Sequence, residues 1–101
     1  MDKLVKEFKM KTMEITGDPQ LRMILFGSRS RRNYTRDSDY DLLIITEKKD
    51  SRVLHAIENL EIELFLSTSA IFNAHVFTPH ELETMHYEPF IMNALREGKA
   101  A

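Results

Sequence analysis

Apolar residues in the first sixteen positions recur at steps of three and four, which is the spacing of one face of an α-helix. The positions of this stripe, completed by a threonine, are Leu4, Val5, Phe8, Thr12 and Ile15. Asp2 is placed to cap the amino end of such a helix, and Gly17 stands where a helix commonly stops. The pattern therefore predicts an amphipathic helix between Asp2 and Gly17.

Two mostly apolar stretches follow, and each is typical of a buried β-strand. The first covers residues 21–26 and stops abruptly at Gly27-Ser28, as a strand that runs into a tight turn would. The second covers residues 39–46 and carries carboxylates only at its start. Residues 29–38 between them are almost entirely polar, so we expect a loop there.

The middle of the chain predicts a second helix and a third strand. Apolar residues again recur at helical spacing, at Val53, Ile57, Leu60 and Leu64. Asp50 or Ser51 is placed to cap this helix, which we expect to reach about Leu66. Residues 70–77 are largely apolar and aromatic, and we expect a strand over them.

Two shorter helices are predicted at the end of the chain. Residues 78–81, Thr-Pro-His-Glu, have the form of a capping box with proline at the first helical position. Pro89 is placed to begin the last helix and Gly98 to end it. This element order favours an α/β or α+β fold in which a small mixed sheet of about three core strands is flanked by helices.

Composition favours one soluble domain over residues 1–101. The chain has 101 residues, 43% of them hydrophobic and 30% charged, and no cysteine. The absence of cysteine fits a reducing cytoplasm, and neither a signal peptide nor an apolar run of about 20 residues is present, so we expect a cytoplasmic protein away from membranes. A net charge of −2 argues against general binding of nucleic acid.

Two carboxylates at the start of the second strand carry the first candidate chemistry. Asp39 and Asp41 are two residues apart, so their side chains project from the same strand face while Tyr40 points away. Two carboxylates that share a site repel each other unless a cation lies between them, and Mg²⁺ prefers oxygen ligands of this kind. The alternative is a pair of solvated charges at a strand entrance.

Gly27-Ser28, at the exit of the preceding strand, favours the metal site over the pair of solvated charges. Glycine adopts backbone angles closed to other residues and lets a phosphate approach the main chain, and Ser28 adds a hydroxyl. An isolated Gly-Ser pair is more often an ordinary turn. Here the pair and the Asp39/Asp41 motif are brought to the same edge of the sheet, which favours a site for a phosphate held through a metal ion.

Residues 27–43 resemble the signature of the DNA-polymerase-β-like nucleotidyltransferases, particularly the minimal nucleotidyltransferases. The resemblance rests on Gly27-Ser28, on Asp39 and Asp41, and on the ten residues, 29–38, that separate Ser28 from Asp39. It extends more weakly through the capping box and the last helix. It implies the nucleotidyltransferase fold and a single minimal nucleotidyltransferase domain over residues 1–101.

The resemblance also implies a reaction. Gly27 and Ser28 would hold the terminal phosphates of a nucleoside triphosphate while Asp39 and Asp41 bind Mg²⁺. A nucleotidyl group, AMP from ATP, would pass to an acceptor hydroxyl with release of pyrophosphate. Arg29 and Arg31 would contact triphosphate oxygens, although exposed loop arginines are more often simply solvated.

One position departs from the family pattern. The family usually supplies a third carboxylate from the neighbouring strand, and counting back from the capping box puts Asn73 there. An amide carries no negative charge and cannot act as a base. Glu61 and Glu63 are the nearest carboxylates in sequence, but both are expected on the preceding helix. His75 shares the strand face of Asn73, which makes it a conceivable site residue, although we favour its interpretation as packed or exposed.

The resemblance leaves two functional hypotheses open. The first is a Mg²⁺-dependent nucleotidyltransferase, acting as the antitoxin of a HEPN-type helical toxin, since the minimal family members are often encoded beside such a protein. The second is an interaction protein that keeps the fold, binds nucleotide or the helical partner and transfers nothing. Because the domain is too small to recognise an acceptor alone, a partner chain or self-association is expected. A nucleic-acid patch at the arginines of residues 29–36 is the third, least favoured, interpretation.

Overall fold

The computed structural model describes residues 2–27 and 39–101, and the predicted order of helices and strands is confirmed there. The elements are α1 Lys3–Thr16, β1 Arg22–Phe26, β2 Tyr40–Ile45, α2 Ser51–Thr68, β3 Phe72–Phe77, α3 Pro79–Thr84, α4 Pro89–Glu97 and β4 Lys99–Ala100. The predicted loop at residues 29–38 lies outside the described residues. None of the helices in the described part of the chain is both long and apolar enough to cross a membrane.

The helix ends form where the capping residues predict them. The Asp2 carboxylate accepts the amide hydrogen of Leu4 at 2.7 Å, and Gly17 closes α1 in the left-handed conformation, with φ of 64°. Asp50 caps α2. Thr78 and Glu81 form the expected capping box at the start of α3.

Within the described residues the sheet has four strands, in the order β3-β2-β1-β4. β1 pairs antiparallel with β2, and β2 pairs parallel with β3. The fourth strand was not predicted. It is the two-residue β4, which pairs antiparallel with β1 and is extended by a bond from the Ala101 amide to the Met23 carbonyl oxygen at 2.9 Å. Two residues are too few to show a strand pattern in the sequence.

The two faces of the sheet are covered differently. On the closed face, α1 and α2 pack against alternate residues of β1, β2 and β3. The buried side chains of this face are Val5, Phe8, Leu21, Met23, Leu25, Tyr40, Leu42, Ile44, Val53, Ile57, Leu60, Leu64 and Phe72. On the open face, a smaller buried cluster of Ile24, Leu43, Ile45 and Ala94 forms where α4 packs. Since successive strand residues alternate between the faces, the side chains of Asp39 and Asp41 lie on the open face.

A buried carboxylate anchors the far end of the sheet. Asp18, which follows α1, accepts hydrogen bonds from the Thr46 hydroxyl at 2.7 Å and from the Gln20 amide at 2.9 Å. These bonds, the Thr46 hydroxyl first, hold the pKa of Asp18 below its ordinary value. In the sequence Asp18 simply follows the predicted helix stop at Gly17, so this anchor was not predicted.

Candidate active site

Three strand ends meet at one point on the open face. Because β1 and β2 are antiparallel, the exit of β1 lies beside the entrance of β2, and Phe26 is the register partner of Asp41. Because β2 and β3 are parallel, their entrances also coincide, and Asp41 is the partner of Asn73. The topology thus puts Phe26, Asp41 and Asn73 side by side in one row across the sheet.

The Asn73 amide joins the two carboxylates. Its Nδ2 lies 3.2 Å from Asp39 Oδ2 and 3.2 Å from Asp41 Oδ1, so each of its two hydrogens is donated to a different carboxylate. This arrangement offsets part of the repulsion between two anions on one strand face. We call Asp39, Asp41 and Asn73 the carboxylate centre.

The donor set of the carboxylate centre fits a hard divalent cation. Two carboxylates supply charge and oxygen ligands, and an amide can add its carbonyl oxygen. No group of three carboxylate or imidazole side chains able to hold a metal ion occurs within residues 2–27 and 39–101. A cation at this centre would therefore be held by two charged ligands from the described residues, with water or substrate oxygens completing its shell, as Mg²⁺ commonly is.

Tyr40 fixes the strand from the opposite side. Its ring is buried on the closed face and stacks on Phe72, with centroids 4.4 Å apart and planes 5° apart. Its hydroxyl donates to the carboxylate of Asp2, the residue that caps α1, at 2.6 Å. With Tyr40 held in this way, Asp39 and Asp41 on either side of it must face the open side of the sheet.

Gly27 leaves space that the centre needs. Its φ of 73° lies in the left-handed region, where other residues are strained. A Cβ at this position would overlap the carboxylate oxygen Oδ2 of Asp41. A larger residue at this position would therefore strain the turn that ends β1 and displace the Asp41 side chain.

Four of the seven residues predicted for the site are brought together in the described structure. They are Gly27, Asp39, Asp41 and Asn73. Ser28, Arg29 and Arg31 lie outside the described residues, and their roles in phosphate binding stay predictions.

Glu61 has a part in the site region that the sequence did not reveal. It lies on α2 as expected, but its Oε2 accepts the amide hydrogen of Ala74, the neighbour of Asn73, at 2.9 Å. Partial burial raises the pKa of this carboxyl, against the lowering effect of the Ala74 bond. Glu61 and Asn73 line a common groove of about 420 Å³. The available signal was the four-residue step from Ile57, which puts Glu61 at the margin of the buried helix face.

Three partly exposed rings lie next to the carboxylate centre, and we call Phe26, His75 and Phe90 the open-face aromatic trio. The ring of Phe90, in the first turn of α4, lies 4.9 Å from His75 and 5.7 Å from Phe26, edge to face in both cases. Phe26 and His75 are 6.0 Å apart. His75 packs against the other two rings but is only half-buried, so the choice between a packing role and a site role stays open.

A larger cavity lies at the opposite end of the sheet. It measures about 590 Å³ and is bordered by the Asp18 anchor and by residues of α3 and α4. Its lining includes the last residues of β2, whereas the carboxylate centre is at the first residues of that strand. Cavity size alone would therefore point away from the predicted site residues.

Comparisons with known proteins identify relatives of this chain. The family model described as nucleotidyltransferase domain matches residues 2–99. A candidate protein adenylyltransferase of Methanocaldococcus jannaschii is 42% identical over 45 residues, which are 45% of this chain and 46% of that protein. The chain thus matches about half the length of this relative.

A solved structure shares the fold. The crystal structure of the mutant toxin-antitoxin MntA-HpeT contains a chain that matches with a TM-score of 0.57 and 16% sequence identity. The match covers 94% of this chain and 70% of that one. At this identity the likeness concerns the backbone, and it extends over nearly all the elements given above.

Proposed function

The chain belongs to the nucleotidyltransferase domain family, and we propose that it transfers AMP from ATP to an acceptor hydroxyl in a Mg²⁺-dependent reaction. The observation that carries this proposal is the carboxylate centre, in which Asn73 lies 3.2 Å from both Asp39 and Asp41. Gly27 leaves room for the Asp41 carboxylate at the adjoining strand end. Two neighbouring carboxylates repel each other, which disfavours folding. Such a pair is therefore expected where a cation and phosphates bind.

The chain's own residues would hold the reactants rather than react with them. Asp39 and Asp41 would bind Mg²⁺, which neutralises phosphate charge and favours in-line displacement when it is bound. Rotation of the Asn73 side-chain amide by about 180° would present its carbonyl oxygen to the same cation. Gly27, with the predicted phosphate contacts Ser28, Arg29 and Arg31, would hold the triphosphate against the open face.

The bonds exchanged follow from the substrates. The acceptor oxygen forms a bond to the α-phosphorus, the bond from that phosphorus to the bridging oxygen of the β-phosphate breaks, and pyrophosphate leaves. The acceptor proton must be removed, and Asn73 cannot take it. The groups of the carboxylate centre that can accept this proton are the carboxylates of Asp39 and Asp41, and solvent water is the alternative acceptor. We therefore expect slower transfer than from a centre with three carboxylates.

We propose that the acceptor hydroxyl belongs to a protein. The relative from Methanocaldococcus jannaschii is named for adenylyl transfer to protein, and the shared fold of the toxin-antitoxin structure suggests a partner chain. A HEPN-type helical toxin in the cytoplasm is the partner that we propose. The absence of a negative charge at Asn73 also supports a second candidate, an antitoxin that binds nucleotide and partner without transferring AMP.

Transfer of label from ATP tests these alternatives. The protein is incubated with Mg²⁺ and ATP labelled at the α-phosphate, alone and with the product of the neighbouring gene. We expect the parent to label protein. The amount of label transferred should fall at least about 100-fold in Asp41→Asn, because an amide cannot replace a charged metal ligand. Asp50→Asn, which changes an exposed carboxylate at the α2 cap, is the matched control and should keep full activity.

The outcome separates the two candidates. Labelling that is unaffected by Asp41→Asn would contradict the proposed centre. Nucleotide binding without labelling, followed by labelling in Asn73→Asp, would favour the second candidate and identify the missing charge as its cause. A lack of both nucleotide binding and labelling in the unmodified protein would contradict both.

A further inference from the structure

The open-face aromatic trio is the feature that the proposed reaction has not used. Phe26, His75 and Phe90 contact one another through their rings, at centroid distances of 6.0, 5.7 and 4.9 Å. Phe77 adds a fourth ring behind them, 6.2 Å from Phe90. These residues come from β1, β3 and α4, so only the folded chain brings them together.

The position of the trio relative to the carboxylate centre is fixed by strand register. Phe26 is the partner of Asp41 on the neighbouring strand. His75 lies two residues beyond Asn73 on the same face of β3, which is about 6–7 Å further along the sheet. In a nucleoside triphosphate, one ribose separates the α-phosphate from the base. With an α-phosphate at the centre, these rings lie within reach of the base.

The burial of the trio differs from that of aromatic rings used only for packing. On the closed face, Phe8, Tyr40 and Phe72 are 0–3% exposed. Phe90 keeps 37% of its surface exposed, and Phe26 and His75 are of intermediate burial. A small domain gains little by leaving three adjoining rings partly in water beside a polar site, unless a ligand covers them.

The chemistry of the trio suits a flat heterocycle. Phenyl and imidazole rings stack on nucleobases through dispersion and π-face contacts, and a purine offers a larger face than a pyrimidine. We propose that the open-face aromatic trio is the platform on which the purine base of the substrate stacks, with Phe90 as its principal exposed ring. This proposal rests on the proposed function, because it assigns the base of the nucleotide held at the carboxylate centre.

Binding of three probes separates base recognition from phosphate recognition. Isothermal titration with Mg²⁺ gives the Kd of ATP, CTP and inorganic tripolyphosphate for the parent protein and for variants at one position. Phe90→Leu keeps an apolar side chain of similar size but removes the ring, and Phe90→Trp keeps a ring. Met92→Ala is the matched control, because Met92 lies on the same helix, is 46% exposed and is outside the trio.

We expect ATP to bind about tenfold more weakly to Phe90→Leu, as loss of one base-stacking ring predicts. The Kd of tripolyphosphate should stay within about twofold, and the preference for ATP over CTP should diminish. Phe90→Trp and Met92→Ala should bind ATP as the parent does. An unchanged Kd for ATP in Phe90→Leu, or equal weakening of ATP and tripolyphosphate, would overturn the platform.

The platform and the proposed function fail in different ways. If the parent binds ATP and tripolyphosphate with equal affinity, the carboxylate centre handles phosphates and the platform is wrong. If the parent binds neither probe, the proposed function fails and the platform fails with it. Folding of each variant is checked by its unfolding midpoint in urea, which should match that of Met92→Ala.

Discussion

The closed and open faces of the sheet use the same kinds of residue for different purposes. The closed face contains a stack of three rings, in which Phe72 lies between Phe8 at 4.8 Å and Tyr40 at 4.4 Å, with nearly parallel planes. All three are almost completely buried. The open face also gathers aromatic rings, but its trio is only partly covered and borders the carboxylate centre.

From this difference we expect the closed face to supply most of the stability and the open face to carry the proposed chemistry. The closed face removes most of the apolar surface from water, which is the main favourable term in folding. The open face has a smaller buried cluster and keeps two carboxylates together, an arrangement that does not help folding. Tyr40 connects the two, since its buried ring fixes the strand whose other side carries Asp39 and Asp41. Variants on the two faces should therefore have separable effects.

The largest expected effect is loss of stability from the closed face. Phe8→Ala removes a fully buried ring from the stack and should lower the free energy of unfolding by about 3–5 kcal/mol. Phe90→Ala, the open-face counterpart, should cost about 1–2 kcal/mol because its ring is already partly exposed. Urea unfolding of both variants measures the difference. Equal losses would show that the open face also carries the core.

The two left-handed glycines provide the next comparison. Gly27→Ala and Gly17→Ala both force alanine into a positive φ, which costs about 1–2 kcal/mol of stability. A Cβ at Gly17 has nothing within 4 Å, whereas one at Gly27 overlaps the Asp41 carboxylate. Displacement of that carboxylate should reduce nucleotidyl transfer by about 100-fold in Gly27→Ala and leave it unchanged in Gly17→Ala.

Label transfer and urea unfolding measure the two quantities separately. If Gly27→Ala loses stability but keeps its rate of transfer, then the position of Asp41 does not control the reaction. If Gly17→Ala loses transfer as well, the effect is general strain and not a local overlap.

The carboxylate centre could be predicted from a short-range rule and from the family resemblance. Alternation along a strand puts Asp39 and Asp41 on one face. The resemblance implies a third position on the neighbouring strand, and the count back from the capping box puts Asn73 there. The helix caps at Asp2 and Gly17 are equally local. The structure added the hydrogen bonds between the amide and the two carboxylates, which require the parallel register of β2 and β3.

Features that depend on distant contacts were missed. β4 forms because the chain leaves α4 at Gly98 against the side chain of Ile24, which brings Lys99–Ala100 to the edge of β1. No pattern in two residues indicates such pairing. The bond of Glu61 to Ala74 likewise becomes visible only when α2 lies along the edge strand. A charged residue on a helix is otherwise expected to be solvated.

A smaller effect is expected from the Asp18 anchor at the end of the sheet away from the carboxylate centre. Thr46→Val removes the buried hydroxyl that donates to Asp18 at 2.7 Å and should cost about 1–2 kcal/mol at neutral pH. Thr12→Val is the matched control, because the buried Thr12 hydroxyl donates to a carbonyl oxygen of its own helix, that of Phe8, and not to a carboxylate. Denaturation by urea should show the larger loss for Thr46→Val, with nucleotide binding unchanged in both.

The pH dependence of this anchor has a defined sign. The pKa of Asp18 is lowered from its ordinary value of 3.8, mainly by the Thr46 hydroxyl. A lowered pKa stabilises the folded state above that ordinary value, and the contribution is lost as pH falls through the folded value. The difference between parent and Thr46→Val should therefore be complete at neutral pH and shrink below pH 3.8. A difference that grew on acidification would contradict this account.

The smallest expected effect concerns Glu61, at the border between the two faces. Burial is the main cause that raises its pKa above the ordinary value of 4.5, with a contribution from Glu58. Ionisation therefore costs the folded state free energy as pH rises from 4.5 through the raised folded value. Glu61→Gln keeps an oxygen acceptor for the Ala74 amide and removes this cost. It should be as stable as the parent in acid and more stable by a few tenths of a kcal/mol at neutral pH.

Glu63→Gln, an exposed change on the same helix, should show no such trend. If Glu61→Gln instead loses stability and transfer at neutral pH, the charge of Glu61 is needed to hold β3, and the open-face centre depends on a residue from the helix of the closed face.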